Sequence, residues 1–208
     1  MTIKIDLTEK RGSAKDHAID ESERKILESN LKDKDIIIYY LGAYAGMRVT
    51  EIEQCRLSWL NYKEFSANKV LAINIPSKDK DVRNKKVTRN EFNSKSRLAR
   101  TTYIFDPLIA NDVYNFYKYN PDGLYISRQR IHARVKAWNK YLGRDENTIH
   151  PHALRSSAQN LWKFEYKHDD IFIQLCFGWK DANTMLQHYR TMNKASGESY
   201  LKGVLNQK

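Results

Sequence analysis

The chain has 208 residues, 41% apolar and 29% charged, which is enough of each for one globular unit with a real core and a wet surface. Lys and Arg number 36 against 25 Asp and Glu, and the formal charge of +11 fits a polyanionic partner, with an acidic membrane surface as the other candidate. A helix crossing a bilayer is excluded, because the longest apolar run, Ile36 to Leu41, falls far short of the roughly 20 residues required.

Residues 1–20 are polar and mixed in charge and read as a flexible N-terminal arm. They hold no apolar core of a secretory leader, so a cytoplasmic location is expected. From Ser22 the pattern turns helical, with Ile26, Leu27 and Leu31 on one face. A second helix is predicted from Lys34 to Ala45, and a third from about Thr50, carrying Ile52 and Cys55. Val70 to Ile75 is rich in branched residues and stops at Pro76, as a strand would. Ser77 to Ser96 is crowded with Lys, Arg, Asp and Asn, and reads as the long basic loop of a hairpin. Arg100 to Phe105 is its return strand, stopped by Asp106-Pro107.

The remainder is helical. Helices are expected from Pro107 to Tyr119, from Ser127 to Leu142 with Gly143 as the stop, and from Pro151 to Tyr166. Asp169 to Phe177, Ala182 to Thr191 and a short stretch near Ser199 complete the series. In the Ser127 helix, Ile131, Val135, Trp138 and Leu142 face inward while Arg128, Arg130, Arg134 and Lys136 crowd the other sides. Trp138 and Trp162 fall at core positions. Cys55 and Cys176 lie in apolar-periodic segments without ligand spacing and read as reduced core thiols; no metal or cofactor is expected. The fold class is α+β, mainly α, with a small antiparallel sheet.

Three segments carry residue types suited to phosphate chemistry. They are Ala45-Gly46-Met47-Arg48-Val49-Thr50-Glu51, His150-Pro151-His152-Ala153-Leu154-Arg155, and Gly178-Trp179 with His188-Tyr189. In this order, with a lysine-bearing hairpin between the first two, they resemble the catalytic domain of tyrosine recombinases, the phage integrase family, over residues 21–208. AGMRVTEIE is similar to that family's "tGLRxxEl" box, PHALR to "HxLR", and CFGWKDANTMLQHYR to "lGHxxxxTTxxY". The resemblance implies that fold, and a site-specific recombinase that cuts and rejoins DNA without metal through a 3′-phosphotyrosyl link.

On that resemblance each residue type has a physical reason. Arg48 and Arg155 would clamp the scissile phosphate, since arginine stays protonated and presents a planar fork of donors. His152 would share proton transfer with the attacking phenol. Trp179 stands where the family more often has His, and an indole N–H donates but cannot shuttle a proton. Tyr189 is the expected nucleophile; its phenol, with an ordinary pKa of about 10, needs nearby cations to favour the phenolate. The 5′-hydroxyl leaving group takes a proton from a hairpin lysine. Lys95, in SKSRLARTT, resembles the family's "tKtxxsRtip" turn, and Lys78, just after the first strand, is the alternative. Glu51 either orients Arg48 or is a plain helix ion pair. His150 and His188 have no assigned role beyond structure.

With these boxes in place, Arg128, Arg130, Arg134 and Lys136 are expected DNA contacts from a helix suited to a major groove. The partners implied are double-stranded DNA and further copies of the chain, assembled on it as dimers or tetramers. The spacing from Trp179 to Tyr189 resembles archaeal and archaeal-virus integrases. Two other functions stay open on sequence: type IB topoisomerase-like relaxation, and a DNA-binding relic without turnover.

Overall fold

Seven consecutive buried residues, Ile37 to Ala43, place α2 (Asp33–Ala43) at the centre of the computed structural model. A helix that is apolar on every side must be covered on every side, and α2 packs against the helices introduced below as α3, α5, α6 and α7. The structure describes residues 17–77, 99–145 and 148–179. Lys78, Lys95 and Tyr189 fall outside these residues, as do nearly all of the loop expected over Ser77 to Ser96 and the expected helices at 182–191 and near Ser199.

The chain enters through α1 (Glu21–Asn30), capped by a reciprocal pair. The Glu23 backbone N–H donates to Asp20 Oδ1 at 3.0 Å, and the Asp20 N–H donates to Glu23 Oε2 at 3.1 Å. Ala18 and Ile19, which the polarity of the first twenty residues assigned to a flexible arm, are instead 5% and 2% exposed. The Ile19 N–H also donates to Ser157 Oγ at 2.7 Å. Two apolar residues in a polar stretch are enough for docking, though too few to register as a periodic pattern.

After α2 come α3 (Val49–Gln54), a tight turn at Leu57–Trp59, the short strand β1 (Leu60–Asn61) and α4 (Tyr62–Asn68). Sequence periodicity did not reveal β1 and α4, since a two-residue strand has no period. β2 (Leu71–Ile75) and β3 (Arg100–Ile104) complete an antiparallel sheet of order β1-β2-β3, with Ile73 opposite both Leu60 and Thr102. Thr102 Oγ1 donates to the Ala45 carbonyl at 2.5 Å and ties this sheet to the end of α2.

Four helices follow: α5 (Pro107–Tyr119), α6 (Arg128–Ala137), α7 (Pro151–Asn160) and α8 (Asp170–Phe177). Ser127 caps α6 through the Arg130 N–H, as expected, but α6 stops at Ala137 and tightens through Trp138–Tyr141. Asn139 is the physical reason. It is 1% exposed, and its amide side chain bonds both the N–H and the carbonyl of Ile149, at 2.9 and 3.3 Å. The expected helix from Pro151 to Tyr166 likewise changes character, widening over Leu161–Glu165. There Trp162 Nε1 donates to the Tyr44 carbonyl at 2.7 Å. Trp138 and Trp162 are both buried, and Cys55 and Cys176 are buried free thiols. Among the described residues no helix is long and apolar enough to cross a membrane.

α2 packs tightly on α7 at Gly42. A Cβ added at Gly42 would lie 2.8 Å from Leu154 Cδ1 and 2.9 Å from Leu154 Cβ. Gly42→Ala improves helix propensity by about 1 kcal/mol, yet it is expected to lower unfolding free energy by about 1–3 kcal/mol through overpacking. Urea denaturation of the two proteins checks the sign.

Candidate functional site

The candidate side chains sit at helix beginnings. Arg48 is the N-cap of α3, and Glu51, at the third helical position, reaches back to the Arg48 backbone N–H at 2.7 Å. On α7, Pro151 fills the first turn, and the three-residue spacing sets His152 and Arg155 on one face. α6 opens with Arg128, Gln129 and, one turn on, His132. These three helix starts converge on a cleft of about 620 Å³ lined by Arg48, Thr50, Arg128, His132, His152 and Arg155, among others. The N-termini of the ten-residue helices α6 and α7 add partial positive charge to that of the arginines.

Each arginine is fixed by bonds it makes away from the cleft. Arg155 is 1% exposed, and its two Nη atoms donate to the carbonyls of Gly46 and Phe177. Its guanidinium lies 4.7 Å from the Phe177 ring centre and 5.0 Å from that of Trp179; the two rings stack at 4.8 Å. Trp179, 8% exposed, therefore serves as a cation–π platform for Arg155. Arg48 donates through Nη1 to Glu51 Oε1 at 3.1 Å and through Nη2 to the Gly178 carbonyl at 3.0 Å. The sequence left two readings of Glu51, and the structure favours the orienting one: Glu51 is fully buried and bonds both the backbone and the side chain of Arg48.

Sequence reasoning missed Arg100. Its Nη1 and Nη2 donate to Glu51 Oε1 and Oε2 at 2.7 and 2.6 Å, and its side chain is 5% exposed. The available signal was the arginine of the "tKtxxsRtip" turn, which falls on Arg100 when Lys95 takes the place of its lysine. Burial alone would push the Glu51 pKa up. The charge and hydrogen bonds of Arg100, then the charges of Arg155 and Arg48, outweigh it and hold the carboxyl at about 2. Three guanidinium groups around one carboxylate leave two positive charges beside the cleft.

His152 is exposed at the cleft and lies 6.3 Å, ring to ring, from His150, which lies 6.3 Å from His17. Burial first, then the charges of His17, His132 and Lys136, lower the His150 pKa. Arg128, Arg130, Arg134 and Lys136 are exposed on α6, and Arg128 and its helix neighbours Gln129 and His132 join the cleft wall. Arg134 instead pairs with Asp35 of α2 at 2.8 Å. Among the described residues no group of three or more His, Cys, Asp or Glu is arranged to hold a metal ion.

The family model described as "Phage integrase family" matches residues 18–196. A comparison with curated proteins finds no match. Among solved structures, XerA recombinase aligns at TM-score 0.61 and 20% identity, covering 91% of this chain and 62% of that one. XerH site-specific recombinase on a palindromic difH substrate, in a post-cleavage complex, aligns at 0.63 and 16%, covering 92% and 53%. Tn1549 transposon integrase in complex with transposon right end DNA aligns at 0.51 and 15%, covering 98% and 68%. The chain thus spans between about half and two thirds of the length of these relatives, and the likeness is one of fold.

Glu51 gives the site a stability signature. A carboxyl held below its ordinary 4.5 stabilises the fold above that pH, and the contribution fades as pH falls toward about 2. Glu51→Gln should cost about 3 kcal/mol at pH 7. In urea titrations from pH 7 downward, its gap to the parent protein should narrow below about pH 4.5.

Proposed function

The chain belongs to the phage integrase family, and we propose that it is a site-specific recombinase that breaks and rejoins double-stranded DNA through a 3′-phosphotyrosyl intermediate, without metal. The observation that carries this reading is that Arg48, His152 and Arg155, up to 107 residues apart in the chain, line one cleft.

A phosphodiester under attack gathers charge on its non-bridging oxygens. Arg48 and Arg155 address those oxygens from planes already fixed by carbonyls and Glu51, so little reorganisation is needed as charge develops. The Tyr189 oxygen attacks phosphorus, and its proton leaves by way of His152. The P–O5′ bond breaks, and the departing 5′-oxygen takes a proton from Lys95, or from Lys78 in the alternative assignment. Rejoining reverses the step, with a 5′-hydroxyl as attacker. Trp179 holds Arg155 in place and donates, but moves no proton.

DNA lies along the face where α6 presents Arg128, Arg130 and Lys136, with Arg134 shared with Asp35. Residues 21–208 act as the catalytic domain, assembled as dimers or tetramers on DNA, in the cytoplasm or nucleoid. The Trp179-to-Tyr189 spacing supports an archaeal or archaeal-virus type.

A nicked suicide duplex incubated in EDTA should trap a covalent protein–DNA species, seen as a shifted band on a denaturing gel. Tyr189→Phe should abolish the band while leaving binding nearly intact; a band that persists means another nucleophile. Arg155→Lys should slow adduct formation roughly 100-fold, because an ammonium cannot span the Gly46 and Phe177 carbonyls that fix the guanidinium at the cleft. About six phosphate contacts imply that log affinity falls with log salt at a slope near roughly −5. Adduct with relaxation of supercoils but no exchange between sites would assign the topoisomerase activity instead.

A further inference from the structure

Arg100 lies outside the cleft, yet it touches both the buried carboxylate and the end of α8 behind it. Its fork engages both oxygens of Glu51 at 2.7 and 2.6 Å, and its Nε donates to the Cys176 carbonyl at 2.9 Å. Arg48 repeats this arrangement from the other side. It bonds Glu51 through Nη1 at 3.1 Å and through its backbone N–H at 2.7 Å, and it donates to the Gly178 carbonyl at 3.0 Å. The bonds close a ring: Arg100 to Glu51 to Arg48 to Gly178, then back along the end of α8 to Cys176 and Arg100. Gly178 has a left-handed φ of +64°, and a Cβ there would lie 2.8 Å from Arg100 Cδ, so the absence of a side chain lets the ring close.

The ring joins three stretches of chain that each lead to a proposed catalytic group. Arg48 starts α3. Arg100 opens the strand that follows the basic loop with Lys95, five residues earlier in sequence. The end of α8 runs on toward Tyr189, eleven residues beyond Gly178. Unlike Arg155, Arg100 is not among the residues lining the cleft, and its three guanidinium nitrogens are all engaged by Glu51 and the Cys176 carbonyl.

We propose that Arg100 is a positioning residue: acting through Glu51, it fixes the plane of Arg48 and holds the start of β3 and the end of α8 in register with the phosphate site. This rests on the strand-transfer reading. Removing the Arg100 charge leaves Glu51 facing Arg48, Arg155 and the Cys55 thiol, a weaker set of partners that no longer keeps a buried carboxylate ionised over the same range of pH. Once protonated, Glu51 loses its charge and with it much of its hold on Arg48.

The test compares the wild type, Arg100→Lys, Arg100→Met and the double variant Glu51→Gln/Arg100→Met. Single-turnover adduct formation on saturating suicide duplex is followed from acid to alkaline pH, with DNA affinity measured alongside. Arg100→Met should form adduct roughly 100-fold more slowly, as expected for a misplaced clamp, with affinity little changed and with an acid limb moved toward neutral pH. Arg100→Lys keeps the charge and should restore the wild-type pH profile and part of the rate. The double variant removes both charges together, which favours folding, and should be slow without the displaced limb.

A rate and pH profile for Arg100→Met matching the wild type would overturn the proposal. So would Arg100→Lys performing no better than Arg100→Met. Nitrogen-15 NMR of the Arg48 guanidinium supplies a readout independent of catalysis. Its Nη signals should be resolved in the wild type and averaged in Arg100→Met or, if that variant does not fold, in the double variant. Unchanged Arg48 signals would also overturn the proposal. If the wild type itself forms no adduct, the strand-transfer reading fails, and the Arg48 signals still decide whether Arg100 positions it.

Discussion

One buried carboxylate organises the cationic site. Glu51 has no exposed surface, and Arg48 and Arg100 bond it directly while Arg155 adds its field. An isolated charge at that depth would be strongly disfavoured, and three unscreened guanidinium groups would repel one another. Together they form a dense cluster whose residual charge is positive. Its arginine planes are set before any substrate arrives. Preorganised donors of this kind accelerate reactions because they need not rotate as charge develops on the reacting group.

The surrounding fold supplies what that cluster needs. α2 is buried over seven consecutive residues, so the helices that carry function can only pack around it, and their starts end up on one side. α6 and α7 then direct their N-terminal dipoles into the space that Arg48 and Arg155 line. Aromatic packing completes the arrangement. Phe177 and Trp179 stack on each other and both face the Arg155 guanidinium, while Trp162 meets Phe177 edge-on at 5.1 Å. Trp179, two residues past α8, thus does more than occupy a motif position. It holds a cation flat.

The relatives aligned here share the fold at 15 to 20% identity. At that distance little of the core is retained residue by residue, and what aligns is a path of helices around a small sheet. In this chain that path places Arg48 at the start of a short helix and the His152–Arg155 pair at the start of a longer one. Chemistry of this sort depends on where the chain directs a few side chains, and much less on what fills the space behind them.

The sequence by itself determined the helical character, the hairpin strands and the inward positions of Ile131, Val135 and Trp138, and it singled out Arg48, His152 and Arg155, which line one cleft. All of these are encoded locally, by period, by caps or by short spaced motifs. The tertiary structure alone decided that Ala18 and Ile19 dock and that Asn139 tightens the end of α6. It also turned Trp179 against Arg155 and placed Arg100 across Glu51. Those outcomes join residues from 10 to 138 positions apart. A contact over such separations leaves no period in either segment, and it exists only once the core has brought the two together.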